Sequence, residues 1–113
     1  MSSIKYPRSI NNLEDTRGCL VVEHVPTGRV YVDVSKKLKQ GAMDIHSSLV
    51  LGEFDNRRMQ INFDMDPDMK YIGYPCKTIS EARKLAKDIM DSTPTMVLLN
   101  LPPPKFTRRR KRS

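Results

Sequence analysis

No stretch of this 113-residue chain approaches the apolar length needed to cross a bilayer, so no membrane partner is expected. The opening MSSIKYPRSI lacks the apolar run of a signal peptide. That places the chain inside a cell, in the cytoplasm of the cell or host, or in a virion assembled there. Cysteine is scarce: Cys19 and Cys76 stand far apart, each in an apolar-looking segment, and read as small buried thiols in a reducing compartment. A zinc set drawn from Cys19, His24, His46 and Cys76 lacks any closely spaced ligand pair. Neither a metal nor another cofactor is expected.

Acidic residues are missing from one place in particular. The last twelve residues, PPPKFTRRRKRS, hold six cations (Lys105, Arg108, Arg109, Arg110, Lys111 and Arg112) and no acid. Without them, residues 1–101 carry 14 basic and 13 acidic side chains, so the body is close to neutral although the whole chain is at +7. Attraction to a polyanion is therefore assigned mainly to the tail.

What is present, 38% apolar and 29% charged residues, suits one small domain with a modest core. Residues 1–16 read as a loose N-terminal arm, 17–101 as the folded domain, and 102–113 as a Pro-rich linker with a basic tail. GCLVVEHV (18–25) and VYVDV (30–34) read as strands joined by the turn PTGR, which makes a hairpin. Ser35 is the expected N-cap of a helix whose apolar stripe is Leu38, Ala42, Ile45 and Leu49, with Gly41 in its interior. FDNRRMQINF (54–63) suits a shorter helix, DMDPD (64–68) a turn, and MKYIGYP (69–75) a third strand. Thr78 and Glu81 have capping-box spacing and open a last helix that buries Ile79, Ala82, Leu85, Ala86 and Ile89. TMVLLNL (95–101) is read as a short final strand. The expected class is α/β (α+β): a small three-stranded antiparallel sheet flanked by helices.

This order, with certain residues on it, resembles the GIY-YIG nuclease domain over about residues 17–92. Gly18-Cys19-Leu20 stands where Gly-Ile-Tyr would be. Ten residues on, past Thr27-Gly28-Arg29, Tyr31-Val32-Asp33 stands where Tyr-Ile-Gly would be. SKKLKQ, DNRRMQINF (with Asn56 and Gln60) and CKTISEARKLAKDI continue the likeness. The literal Tyr71-Ile72-Gly73 lies on the third strand, away from the hairpin, and is read as strand packing, with Gly73 relieving crowding beside Tyr71 and Tyr74.

The resemblance implies phosphodiester hydrolysis, served by tyrosines near the attacking water, an arginine that neutralises phosphate and a glutamate that holds a divalent metal. Position by position, the first tyrosine falls on Leu20, the second on Tyr31, the closing glycine on Asp33, the arginine on Gly41 and the glutamate on Ala86. Leu, Gly and Ala supply neither charge nor ligand, and loss of one such contact costs on the order of 10²–10³ in rate. The expectation is a pseudo-nuclease without catalytic residues. Arg57, Arg58, Glu81, Asp88 and His46 stand near enough in sequence to substitute, but read as surface, capping or structural residues.

Three functions follow from this. The first is a nucleic-acid-binding protein, for DNA or RNA, that grips phosphate through the tail. The second is an interaction or assembly module in a larger, viral complex, with the tail against nucleic acid or an acidic protein surface. The third is a divergent, active, metal-dependent endonuclease.

Overall fold

The computed structural model describes residues 4–100. In chain order it holds α1 (Arg8–Asn11), β1 (Gly18–His24), β2 (Arg29–Ser35), α2 (Leu38–Leu51), α3 (Arg57–Met65), β3 (Met69–Pro75) and α4 (Ile79–Ser92). The strands form one antiparallel sheet in the order β2-β1-β3. The middle strand, β1, is hydrogen-bonded on both edges and buried on both faces, so it reads as a continuous apolar run rather than an alternating one. The three-stranded antiparallel sheet with flanking helices is as the sequence implies.

The sheet separates two apolar layers. On one side Leu20, Val22, Met69 and Tyr71 meet Leu38, Ala42, Ile45 and Leu49 of α2, and Met59 and Phe63 of α3. On the other, Cys19, Val21 and Val32 meet Ala86 of α4. The α2 stripe is buried as its spacing requires, and α4 buries Ala82 and Ala86 fully, with Leu85 and Ile89 at the margin.

Several elements differ from the sequence reading. Residues 4–16 are packed rather than loose: Ile10 is fully buried, Tyr6 and Leu13 lie against the core, and the Ser9 hydroxyl accepts from the Tyr71 amide at 3.0 Å on the free edge of β3. Ser35 does not cap α2. Its hydroxyl is spent on the Lys37 amide and carbonyl, at 3.1 and 2.7 Å, and the N-cap is Lys37. The capping groups come from far off in sequence: Thr16 O accepts from the Leu38 amide at 2.8 Å, and Asp15 Oδ1 from the Gln40 amide at 3.1 Å. Thr78 caps α4 through the Glu81 amide at 3.1 Å, but the returning Glu81 carboxylate takes the amide of Lys77 rather than that of Thr78.

The final strand does not form. Residues 95–97 make a turn, and a single parallel bridge joins Leu98 to Val30. Asn100 then stands in for a strand residue: its side-chain amide donates to Val32 O and accepts from Val32 N, both at 2.9 Å. Pro94 and the turn leave too few extended residues for a ladder, so one side chain closes the edge of β2. Tyr71-Ile72-Gly73 is not far from the hairpin in space, because β3 pairs directly with β1. Gly73 makes room for Leu13 and Leu38, whose methyls would lie 2.8 and 3.2 Å from a Cβ there, rather than for Tyr74.

His46 is buried, and its Nδ1 lies 2.9 Å from the Tyr71 hydroxyl. Desolvation by burial holds its pKa below the ordinary 6.5, against a smaller opposing effect from the backbone at Lys5. A lowered pKa means the unfolded chain binds the proton more readily, so stability is lost as pH falls below about 6.5. We expect the His46 ring to titrate below 6.5 by NMR and thermal stability to decline from that pH downward, the decline being smaller in His46→Gln. An unchanged acid-side slope in that variant would refute the assignment.

Candidate functional site

Tyr31 lies on β2 and points to the α2/α3 side of the sheet, half-buried, its ring edge-on to Phe54 at 5.4 Å and 81°. It borders a cleft of about 290 Å³ whose other walls are Asp55, Asn56 and Asn100. A second depression of about 320 Å³ adjoins it through Asp55 and is lined by Asp44, Ser48, Glu53 and Phe54. The two amides in the cleft wall are committed to the backbone. Asn56 accepts from the Met59 amide as N-cap of α3 and donates to Leu99 O at 2.9 Å, while Asn100 is occupied by Val32. Among the described residues, the groups left free in the cleft are the Tyr31 hydroxyl and the Asp55 carboxylate.

The charge of this cleft is negative. Desolvation pushes the Tyr31 phenol up to about 12, and the carboxylates of Asp33 and Asp55 add to the rise. Tyr31 therefore remains a protonated hydrogen-bond donor at neutral pH. Asp33 is exposed, so its desolvation is partial. It raises the carboxyl's pKa nonetheless, the Val34 amide lowers it at 2.8 Å, and Asp55 raises it. Two like charges near one phenol oppose a phosphate by about 1 to 4 kcal/mol per pair at 4 Å, depending on the local dielectric.

No cation offsets them from the cleft wall. Arg29, two residues from Tyr31 on the same face of β2, donates to Asn62 Oδ1 at 3.2 Å. Arg57 lines a separate hollow with Gln60, Ile61 and Asp64, and the side chain of Arg58 is partly exposed.

Of the five motif positions, Leu20, Tyr31, Asp33 and Gly41 lie on the α2 side of the sheet and Ala86 lies on the other. Leu20 and Asp33 are directly paired on β1 and β2, Leu20 fully buried. Gly41 lies in the first turn of α2, not its middle, and a Cβ there would sit 2.6 Å from Ser35 Oγ and 3.0 Å from Ser35 Cβ. Ala86 is buried against Cys19, Val21 and Val32, on the opposite face of the sheet from Tyr31. Glu81 and Asp88 belong to the same helix, which is packed on that far side. The cations Lys105 to Arg112 fall outside the described residues.

A divalent metal fits this chain poorly. Among the described residues, no three His, Cys, Asp or Glu side chains come together. His24 has both ring nitrogens engaged, Nε2 donating to Asp66 O and Nδ1 meeting the Thr27 hydroxyl, each at 2.8 Å. Asp55 and Asn100, which help form the cleft, carry no signal in the sequence; Asn56 is marked only as part of the Asn-x-x-x-Gln spacing.

The literal motif is informative in another way. Tyr31 and Tyr71 are both paired with Val22, so they flank the middle strand in one row on one face. Tyr71 is 2% exposed and its hydroxyl is held by His46, whereas the Tyr31 hydroxyl meets the cleft. Environment separates the two, and the accidental match is the one that has become core.

No family model and no curated protein matches the chain. Among solved structures, the catalytic domain of homing endonuclease I-TevI superposes with a TM-score of 0.66 at 13% identity, covering 78% of this chain and 100% of that one. A mutant of the catalytic domain of intron endonuclease I-TevI gives a TM-score of 0.57 at 14% identity, covering 66% of this chain and 80% of that one. The fold is therefore a GIY-YIG-like domain.

Two outcomes test this geometry. Asp33→Asn and Asp55→Asn should each lower the Tyr31 phenol pKa, read by ultraviolet titration, while the double variant stays above the ordinary 10 because desolvation is the largest cause. Gly41→Ala should lower the melting temperature. Helix propensity favours Ala by about 1 kcal/mol, but intrusion on the hydrogen-bonded Ser35 costs about 1 to 3. A raised melting temperature would show that Ser35 yields freely.

Proposed function

We propose that this chain is a nucleic-acid-binding protein on a GIY-YIG-like scaffold that does not cut its ligand, with phosphate contacts mainly from Lys105, Arg108, Arg109, Arg110, Lys111 and Arg112. The observation that carries the reading is the cleft beside Tyr31, whose wall offers the Asp55 carboxylate to an anion, with Asp33 near enough to raise the Tyr31 phenol, and no cation among the described residues that line it. A phosphodiester gathers charge on the way to cleavage, and cationic groups are what make that affordable. Gly41 cannot supply one, and an arginine at that position would first have to displace Ser35. The six cations in twelve residues at the C-terminus suit sequence-independent contact with a phosphate backbone. On this reading, residues 4–100 act as one folded body and the cations of 102–113 as its grip.

The pair Asp33 and Asp55 favours a second reading, a divergent metal-dependent endonuclease, because carboxylates are the usual hard ligands for Mg²⁺. Against it stands the absence of a third ligand among the described residues.

One set of measurements tests both. The full chain should bind random duplex DNA or single-stranded RNA with an affinity that falls steeply with salt. Replacing Arg108, Arg109, Arg110, Lys111 and Arg112 together by serine should weaken binding at least tenfold near 0.1 M salt and flatten the slope of log affinity against log salt by about 4. Supercoiled plasmid with Mg²⁺ or Mn²⁺ should stay intact. Nicking abolished by Tyr31→Phe would replace the first reading with the second.

A further inference from the structure

The near-neutral body conceals a strong separation of charge. At the Gly18 end of the sheet, the start of β1 meets the ends of β2 and β3, since Gly18 is paired with both Ser35 and Pro75. Three chain segments are joined there. Thr16 O accepts from the Leu38 amide at 2.8 Å, and Arg17 O from the Cys76 amide at 3.0 Å. The Arg17 guanidinium itself donates to Lys77 O at 2.9 Å.

Residues 14–17, 35–40 and 75–84 together hold seven cations and three acids. Two of those acids, Asp15 and Glu81, are turned to the backbone amides of Gln40 and Lys77. By contrast, residues 41–68, which hold α2 beyond its first three residues, α3 and the loops that follow each, carry two cations and six acids. The acids that flank the Tyr31 cleft and the neighbouring depression, Asp44, Glu53 and Asp55, belong to this second group.

Arg17, Lys36, Lys37 and Lys77 are all exposed. Among the described residues none of the four forms an ion pair; the ion pair there is Lys87 with Asp91 on α4. Their geometry comes from the strand order. Lys36 and Lys37 leave β2 on one side, Arg17 enters the middle strand, and Lys77 follows β3 on the other side. With strands about 4.8 Å apart, the row is roughly 10 Å wide. That width spans more than one phosphate of a nucleic-acid strand, whose charges are spaced at about 3.4 Å along the axis. The hydrogen bond to Lys77 O also holds the Arg17 side chain in place, so less rotamer entropy remains to be lost on binding.

We infer that this edge, formed by Arg17, Lys36, Lys37 and Lys77, is a second phosphate-backbone surface on the folded body, separate from the C-terminal cations and turned to nucleic acid. It rests on the nucleic-acid-binding reading and adds a location to it. A ligand held here meets these four cations rather than the acids that line the hollows around Tyr31 and Phe54.

The test uses the full chain in three versions besides wild type. The edge variant carries Lys36→Gln, Lys37→Gln and Lys77→Gln, whose side chains make no hydrogen bond among the described residues. The control carries Lys5→Gln, Arg57→Gln and Lys70→Gln, removing the same charge elsewhere. The tail variant carries serine at Arg108, Arg109, Arg110, Lys111 and Arg112. Each is titrated with a short random-sequence DNA duplex between about 50 and 200 mM salt. The edge variant should bind about tenfold more weakly and lose about 2 to 3 from the salt slope, and the control should stay within about threefold of wild type. The single substitutions, each expected to take about 1 from the slope, keep the test decisive should the triple variant fold poorly. Wild-type affinity in the edge variant together with loss in the tail variant would overturn the edge while leaving the nucleic-acid reading intact. Equal losses in the edge variant and the control would overturn it too, because net charge would then suffice. A wild-type chain that binds at no salt concentration overturns both.

Discussion

The structure depends on one strand. Gly18–His24 is hydrogen-bonded to β2 on one edge and β3 on the other, and packed by α2 and α3 on one face and α4 on the other. A strand enclosed in this way has no freedom of register, because a slip of one residue would exchange Leu20 and Val22 with Cys19 and Val21 between two cores of different shape. Every functional consideration follows from that register. It places Tyr31 and Tyr71 in one row, puts Ala86 behind the sheet, and brings the basic ends of three chain segments together.

The tyrosine row shows how the same side chain takes two roles. Tyr71 is buried beside His46, whose ring centroid lies 5.7 Å from that of Tyr71 and 5.7 Å from that of Phe63, and its phenol is pushed well above the ordinary range by burial. Tyr31 has an open side, but the carboxylates of Asp33 and Asp55 raise its phenol as well. Desolvation is the largest cause in both, and only Tyr31 adds the pull of nearby carboxylates. A cleft of this sign can accept a hydrogen-bond acceptor or a cation more readily than a phosphate.

Much of the fold was legible because it is local. The stripe Leu38, Ala42, Ile45 and Leu49, the turn before β2, and the Thr78 cap all act within a few residues, and patterns of that range survive in sequence. What escaped was carried across distance. Asp15 caps a helix that begins more than twenty residues later, Asn100 completes the edge of a strand 68 residues away, and Ile10 fills a core built by other elements. The arm looked polar because its three apolar anchors, Tyr6, Ile10 and Leu13, are spread among polar neighbours without a strand or long-helix period. The candidate site was legible only at Tyr31. Asp55 reaches that cleft through the loop between two helices, and no spacing announces it. Counting along α4 to Ala86 likewise could not show that the helix lies behind the sheet.

Charge is the clearest case of what a sum conceals. A body with 14 cations and 13 acids looks indifferent to polyanions when only the total is read. Once the strand ends are brought together, the cations of Arg17, Lys36, Lys37 and Lys77 fall on one edge, and the acids of α2, α3 and their loops on another side. At a Debye length near 8 Å, a phosphate at that edge responds chiefly to the charges nearest it, and four of these are unpaired cations among the described residues. The described chain ends at Asn100, beside Tyr31 and Asp55. On the proposed function, the C-terminal cations, which lie outside the described residues, grip the ligand. The carboxylate of Asp55 beside Tyr31 would repel such a ligand locally, and on the further inference the basic edge offers it a place to rest. On the proposed function, this distribution of charge would itself hold phosphate away from Tyr31.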